Sequence, residues 1–331
     1  MARVTLADVA ARVGVSAKSV SNVVNGTGWV SAEVRQRILT AIDELGYRPN
    51  LAARQLRNGR SGLIALVLPD LREPYFAEFA SSFVRVAQTR SLTVLIAQTN
   101  GDHETELAMM AGQGFPALDG IVMSPLLLTA ADIAARPATP PLVLIGEQAE
   151  SLVGPSAHHV GIDNVSAAAA ATTHLIAHGR RRIAAVGVQE SGPSATSRLR
   201  FEGYLRALAA AGIDPDPSLF AVVETFDRAE GSISVQRLLA SGAEFDALFC
   251  FSDSLALGAL YTLGSHGVSV PDRVQVMGFD DIDEGRFHIP AFSTVDHGVE
   301  KAAETILDIL TSRSSPEPGS HHSVPYSLIT R

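Results

Sequence analysis

Residues 5–26 read TLADVAARVGVSAKSVSNVVNG. Thr5, followed three residues later by Asp8, is typical of the start of a helix. Apolar residues then recur at helical spacing, at Leu6, Val9, Ala10 and Val13. Gly14 is placed to end this helix and Ser16 to begin a second one. The stretch therefore predicts two short helices joined by a tight turn.

Residues 30–56 continue as VSAEVRQRILTAIDELGYRPNLAARQL. Ser31 is placed to cap a third helix, and Gly46 follows its last apolar residue. The inward positions of the second and third helices are Val20, Val23, Val24, Val34, Ile38, Ile42 and Leu45. Because the third helix supplies a core that two short helices lack, we predict a three-helix, helix-turn-helix domain over residues 1–48.

The outward face of the second helix is polar and carries no acid. It consists of Ala17, Lys18, Ser21 and Asn22. An ordinary three-helix bundle is the alternative interpretation, but a solvated helix face usually mixes both signs of charge. A face without acids approaches phosphates and base edges without repulsion, which favours contact with DNA.

Charge is distributed unevenly, although the net charge of the chain is −9. Residues 1–60 carry nine Lys and Arg against four acids, whereas the remaining residues carry 17 basic and 31 acidic side chains. A small basic head on an acidic body suits phosphate binding by the head. Taken alone, the charge is equally compatible with a merely charged surface.

Length and composition exclude several classes of protein. With 331 residues, 46% hydrophobic and 18% charged, the chain is expected to form two or three well-packed domains. We expect a cytoplasmic protein, since Asp8 and Arg12 interrupt any secretory signal and no apolar run is long enough to span a membrane. The single cysteine, Cys250, lies in an apolar run and predicts a buried thiol rather than a disulfide or a metal site.

The head resembles the DNA-binding domain of the lactose-repressor (LacI/GalR) family, because the DVA, GVS, VS, LGY and PN elements occur together at the family spacing. The resemblance implies a major-groove reading helix at about residues 17–24, in which Ala17, Lys18 and Asn22 read bases. The family often has Arg where Asn22 stands, and Asn prefers adenine where Arg prefers guanine. The residues expected to contact DNA in the head are Thr5, Leu6, Ser16, Ala17, Lys18, Ser19, Ser21, Asn22, Asn25 and Ser31.

Residues 49–61 form a predicted hinge helix and linker, since RPNLAARQL resembles the hinge helix of that family. The resemblance implies that two such helices pair over the minor groove, where Leu56 wedges a base step open. Asn50 and Ala53 complete the expected contacts of the hinge with DNA. A flexible linker with a stray leucine is the alternative. We expect a homodimer that reads a near-palindromic operator.

The body, residues 62–331, alternates apolar runs with helix-like segments, which predicts parallel sheets with crossover helices. It resembles the effector domain of the same family, which is similar to periplasmic sugar-binding proteins, in stretches such as VGIDN, RLRFEGY and VQVMGFDD. We expect an α/β, periplasmic-binding-protein-like body of two doubly wound subdomains. The first comprises residues 62–160 with 295–320, and the second 161–294 with 321–331.

Ligands of doubly wound sheets lie beyond the carboxyl ends of the strands. The polar residues at those ends are Asp70, Gln98, Asn100, Ser124, Glu147, Asp163, Ser252, Asp253, Asp280 and Asp281. Carboxylates and amides suit the hydroxyls of a sugar. The expected effector site, most of it implied by the resemblance, is Asp70, Phe76, Ser124, Glu147, Arg200, Phe226, Ser252 and Asp280. The alternatives are helix caps for the acids, core positions for the phenylalanines and a structural ion pair for Arg200.

These patterns predict a ligand-responsive transcriptional regulator, a repressor of carbohydrate-related genes, with no cofactor. A sugar-binding receptor and an α/β enzyme are the competing functions, but the sequence shows no secretion signal, no G-x-S-x-G elbow and no phosphate loop. The family usually has Asn at the position of Ser252 and often Asp or Arg at that of Glu147. The effector is therefore open: a sugar, a nucleobase or another metabolite.

Overall fold

The computed structural model describes residues 4–47, 60–137, 139–154, 156–189, 195–312 and 319–331. The chain divides into two compact units, Met1–Ser61 and Gly62–Arg331. The predicted hinge contacts Asn50, Ala53 and Leu56 lie outside the described residues. No helix in the described part of the chain is long and apolar enough to cross a membrane.

The head consists of three helices, each beginning directly after the residue predicted to cap it. They are α1 (Leu6–Val13), α2 (Ala17–Asn25) and α3 (Ala32–Leu45). Each capping hydroxyl accepts a hydrogen bond from the backbone amide three residues on, at 3.3 Å for Thr5, 3.1 Å for Ser16 and 3.4 Å for Ser31. Val9 and Val20 join α3 in a core that is closed to solvent. The predicted helix-turn-helix fold is confirmed.

The body is built from twelve strands and nine α-helices in its described residues. The strands are β1 (Leu63–Leu68), β2 (Thr93–Gln98), β3 (Gly120–Met123), β4 (Leu142–Ile145), β5 (Ala157–Gly161), β6 (Ile183–Val188), β7 (Phe220–Val222), β8 (Ala247–Cys250), β9 (Gln275–Met277), β10 (Thr294–Asp296), β11 (His321–Ser323) and β12 (Ser327–Ile329). The helices are α4 (Pro74–Thr89), α5 (His103–Met110), α6 (Ala130–Ala135), α7 (Asn164–Ala177), α8 (Ala195–Ala210), α9 (Arg228–Ala240), α10 (Asp253–Ser265), α11 (Asp283–Phe287) and α12 (Val299–Thr311). Two 3₁₀ turns, Glu147–Leu152 and Pro217–Leu219, complete the described elements.

Two parallel sheets organise these strands. The first has six strands in the order β11-β5-β4-β3-β1-β2, and the second has four in the order β7-β6-β8-β9. A separate pair, β10 and β12, is antiparallel. Strands β3, β4 and β8 are buried along their whole length, as continuous apolar runs in parallel sheets are. The expected doubly wound, periplasmic-binding-protein-like architecture is confirmed.

The C-terminal segment departs from the predicted division of the body. That division assigned residues 321–331 to the second subdomain, whereas His321–Ser323 pairs in parallel with β5 at the edge of the first sheet. His159 and His321 are paired in this register, and their Nδ1 atoms lie 2.8 Å apart. A three-residue polar strand has too few apolar positions to show a period in the sequence, so its partner could not be assigned from the pattern.

Candidate functional site

The outward face of α2 is open to solvent at its N-terminal end. Ala17 and Lys18 are exposed, while Ser19, Ser21 and Asn22 are half-buried. The helix contains no acidic residue, so no carboxylate of its own neutralises the partial positive charge of its N-terminus. This surface is compatible with phosphates and base edges.

The other predicted DNA contacts of the head have identifiable local roles. Thr5 forms a capping box with Asp8, donating to its carboxylate at 2.7 Å through the hydroxyl. The Ser16 and Ser19 hydroxyl oxygens lie 2.9 Å apart at the start of α2. Leu6 packs against the core of the head, Ser31 caps α3, and Asn25 is the last residue of α2.

Some of the basic residues of the head hold its helices together. Arg37 Nη2 on α3 donates to the carbonyl of Val13 at 2.6 Å, which satisfies an end of α1. Arg12 pairs with Glu44 at 3.1 Å on the surface. The positive charge of the head is therefore only partly available for phosphate binding.

In the body, the structure brings three of the predicted effector residues into one buried ion network. Arg200, on α8, places Nη2 3.3 Å from Glu147 Oε1 and Nη1 3.4 Å from Asp280 Oδ1. Glu147 follows β4 of the first sheet and Asp280 follows β9 of the second. The guanidinium thus joins the carboxyl ends of strands from both sheets, and its residue is only 3% exposed.

Further contacts fix the Arg200 guanidinium in this position. Its Nε donates to Asn164 Oδ1 at 3.0 Å, and Nη1 donates to the carbonyl of Phe251. Its Cζ lies 3.6 Å from the centre of the Phe279 ring, the geometry of a cation–π contact. Such a fully engaged arginine is preorganised to present its charge at one place.

Glu147 is held ionised by the same network. Burial by itself raises the pKa of Glu147, but the Arg200 charge, a 2.6 Å hydrogen bond from Thr196 and nearby His297 outweigh it and bring the pKa to about 2. A carboxylate that stays charged in a buried site is a strong hydrogen-bond acceptor.

A cavity opens next to this network. The polar groups around it include Tyr75, Glu147, His159, Asn164 and His297. His297 Nε2 is buried and lies 3.0 Å from Asp280 Oδ1, the distance of an ion pair when the imidazole is protonated.

Other predicted effector residues lie outside the network. Asp70 forms a surface ion pair with Arg72 at 2.8 Å, and Ser252 caps α10 by accepting from the Leu255 amide at 3.2 Å. The side chains of Phe76 and Phe226 pack against the hydrophobic core. Ser124 is buried, and its Oγ would lie 3.1 Å from a Cβ atom at position 146, next to Glu147.

Two acids from the strand-end pattern have structural contacts of their own. Asp163 caps α7, accepting from the Ser166 amide at 2.9 Å. Asp253 is buried and accepts from Thr294 Oγ1 at 2.7 Å. Within the described residues, no group of three or more His, Cys, Asp or Glu is arranged to hold a metal ion.

The structure adds three residues that were not in the predicted effector set. Asn164 is 5% exposed and binds Arg200, while Tyr75 and His297 line the cavity with ring centres 5.0 Å apart. The signal for Asn164 was its place directly after a strand end. Tyr75 sits in a helix. His297 directly follows the short strand β10, which the apolar pattern of the sequence did not predict, so the strand-end rule selected neither residue.

Side chains near the start of α4 form hydrogen bonds to α10 and α11, the helices that follow strands β8 and β9 of the second sheet. Glu73 Oε1 accepts a 2.6 Å hydrogen bond from Ser254 Oγ of α10, and Glu78 Oε1 accepts one of 2.7 Å from the Asp283 amide of α11. Burial raises the pKa of Glu73, neighbouring Asp280 and Asp227 raise it further, and the result is about 7. This contact is therefore sensitive to pH near neutrality.

We predict that the stability of the Glu73→Gln variant increases relative to that of the wild type as the pH rises. A carboxyl whose pKa is raised in the folded state contributes stability below its unfolded value of about 4.5, and this is lost as the pH rises through about 7. Glutamine keeps the acceptor for Ser254 without a charge. The melting temperature of the variant minus that of the wild type should increase by about 2–4 °C between pH 5 and pH 8. Glu104→Gln, at an exposed position of α5, removes the same charge as a control, and an equal trend there would contradict the assignment.

Comparisons with known proteins agree with both units. Residues 5–50 match the bacterial regulatory proteins of the lacI family, and residues 172–331 match a periplasmic binding protein-like domain. The HTH-type transcriptional regulator AscG of Escherichia coli (strain K12) is 34% identical over 92% of this chain and 90% of its own length. The chain belongs to the LacI family of bacterial transcriptional regulators.

Solved structures of LacI-family regulators are similar to this regulator over nearly the whole chain. The complex of the transcriptional regulator CelR with cellobiose has a TM-score of 0.67 at 29% identity and covers 99% of both chains. The lac repressor dimer bound to operator has a TM-score of 0.80 at 24% identity, covers 100% of this chain and 98% of its own, and shows the shared fold. The LacI family consists of DNA-binding transcriptional regulators, so the protein is a regulator rather than an enzyme.

Proposed function

We propose that this regulator binds an uncharged carbohydrate beside the Arg200 network and that the bound sugar changes its affinity for operator DNA. The observation that carries the proposal is the buried set formed by Arg200, Glu147 and Asp280 next to a cavity, with His297 beside Asp280 at the cavity wall. Carboxylates held in place can accept hydrogen bonds from the hydroxyls of a sugar, and a fixed guanidinium can donate to them.

The charge balance of the site argues for a neutral effector. Arg200 is shared between two carboxylates, Glu147 and Asp280, so its charge is already compensated. A phosphate or carboxylate on the ligand would add a third negative charge close to these two in a buried environment, which is costly. A neutral polyol instead donates hydrogen bonds from its hydroxyls to the carboxylates. The cellobiose complex of CelR supports this class of ligand.

On the DNA side, we propose that α2 enters the major groove, with Ala17, Lys18 and Asn22 at the bases. The serines at 16, 19 and 21 bind phosphates, and Thr5, Leu6, Asn25 and Ser31 add contacts around the helix. The hinge residues Asn50, Ala53 and Leu56 act in the minor groove. The operator lies at promoters of carbohydrate-related genes, and these genes are repressed when the regulator occupies it. The regulator acts in the cytoplasm, where it reaches the chromosome.

We further propose that the functional protein is a homodimer reading a near-palindromic operator. Tyr261, Phe287 and Ile289 are 72%, 78% and 93% exposed in one chain. Large exposed apolar side chains favour burial against a partner, and C2 symmetry buries the same surface on both copies. The effector changes the relation of the two sheets, and linkage then requires that operator and effector alter each other's affinity by the same factor.

The test combines one DNA experiment with one ligand experiment on the full chain. Duplexes are selected from a randomised pool, and the protein is melted with glucose, cellobiose, galactose, glucose 6-phosphate, adenine and guanine. We expect an enriched near-palindromic duplex, and a neutral sugar that both raises the melting temperature and alters duplex affinity. Stabilisation by glucose 6-phosphate alone would contradict the neutral-effector proposal, and stabilisation by adenine or guanine in place of sugars would favour a nucleobase effector.

A further inference from the structure

The end of α2 turns back over the helix that it terminates. The Thr27 amide donates to the carbonyl of Asn22 at 2.9 Å, and the Gly26 amide donates to the carbonyl of Val23 at 3.3 Å. This pair of bonds is the Schellman arrangement, in which a left-handed residue reverses the chain, and Gly26 has φ of +65°. The next residues therefore run back beside Asn22 instead of away from it.

Gly28 lies directly against the side chain of Asn22. A Cβ atom at position 28 would stand 2.6 Å from Asn22 Nδ2 and 3.0 Å from Asn22 Cγ. Heavy atoms do not approach this closely without a bond, so the Asn22 carboxamide occupies the space that a side chain at 28 would need. Because the carboxamide is the end of a flexible side chain, a Cβ would displace it rather than prevent folding.

We propose that Gly28 is a positioning residue for base recognition: by lacking a Cβ, it lets the Asn22 carboxamide rest on the α2–α3 loop in the rotamer that reads the operator. The inference rests on the proposed function, in which Asn22 faces the bases. A side chain held by packing loses less conformational freedom on binding, and a bidentate amide contact depends on its angle to the base edge. The operator preference of this chain is thus encoded by a pair of residues, one on the helix and one on the loop.

The chain supplies a matched control for backbone strain. Gly26 and Gly28 both have positive φ, at +65° and +69°, so alanine at either position is strained to a similar degree. A Cβ at position 26 meets no atom within 4 Å, whereas a Cβ at 28 meets Asn22. Gly28→Ala and Gly26→Ala therefore differ in their effect on Asn22.

The experiment measures the binding of full-length variants to the duplex selected by the wild type and to its single-base-pair variants. We expect wild type to discriminate roughly tenfold at the base pair read by Asn22, and Asn22→Ala to abolish that preference. Gly28→Ala should reduce the preference at least roughly threefold at the same base pair, and add nothing when combined with Asn22→Ala. Gly26→Ala should retain it. Gly28→Asn, which tolerates the left-handed region better, repeats the test if Gly28→Ala fails to fold.

The outcomes separate this inference from the function beneath it. If wild type selects no duplex, the proposed DNA reading fails and the role of Gly28 fails with it. If wild type selects a duplex but Gly28→Ala keeps the full preference, only the positioning role is overturned. A uniform loss of affinity on all duplexes, equal in Gly28→Ala and Gly26→Ala, would also overturn it, because that is the signature of strain in the loop.

Discussion

Replacing Arg200 with alanine is expected to remove the response to sugar and to lower the free energy of unfolding of the body by about 3–5 kcal/mol. The loss is large because Glu147 and Asp280 would both stay in the protein interior without their shared cation. The measurement is a urea unfolding curve, paired with melting in the sugar that stabilises the wild type. The affinity for the selected duplex in the absence of sugar should be unchanged, since the head folds on a core of its own.

Two further variants separate the buried network from ordinary loss of charge. Arg198→Ala removes an exposed arginine two residues earlier on α8 and should leave stability and sugar response nearly unchanged. Arg200→Lys keeps the charge but loses the planar fork, so it should fall between wild type and alanine. A normal thermal shift with sugar in Arg200→Ala would refute the role of Arg200 in the effector site.

Acid provides an independent check on the same network. The pKa of Glu147 is lowered to about 2 in the folded protein, so its ionised form contributes stability that is complete above about pH 4.5 and is lost as the pH falls toward 2. Without Arg200, the largest of the effects that oppose the desolvation of Glu147 is lost and the pKa of Glu147 rises. The stability advantage of wild type over Arg200→Ala should therefore shrink steadily between pH 5 and pH 3.

The sequence predicted the head in detail because its determinants are local. Thr5, Ser16 and Ser31 each cap through a bond to an amide three residues away, so the signal and the interaction lie in the same short window. Asn22 and Gly28 are only six residues apart in the sequence, but their contact depends on the path of the loop after Gly26. The path of the loop depends on the left-handed conformations of Gly26 and Gly28, which the helical spacing of apolar residues does not reveal.

The body was harder to predict at the level of contacts. Residues Glu147, Arg200 and Asp280 were each selected singly, by the strand-end rule or by resemblance, yet the pattern does not say that one arginine joins both acids across more than 130 residues. The same rule selected Asp70 and Ser252, which the structure uses for a surface ion pair and a helix cap. Strand ends place polar groups at one edge of a sheet, but side-chain direction decides which of them meet.

Replacing Ile38 with alanine is expected to weaken specific DNA binding by up to about 30-fold for each head, while the body stays folded. Ile38 is completely buried at the centre of the head, and its truncation removes about 2–5 kcal/mol. A unit of this size has a total stability of only about 3–5 kcal/mol, so the truncation removes much or all of it and a large share of the molecules would carry an unfolded reading helix. Gel shifts with the selected duplex measure the loss.

The neighbouring position makes the Ile38 prediction specific. Leu39 is 41% exposed on the same helix, so Leu39→Ala removes a side chain of equal size with little loss of buried area, and it should bind the duplex nearly as wild type does. Both variants should keep the sugar-induced rise in melting temperature, because the cores of the body share no residue with that of the head. If Ile38→Ala also lost the sugar response, the two units would depend on each other for folding. If it bound the duplex like wild type, the three-helix core would not be what holds α2 in place to read DNA.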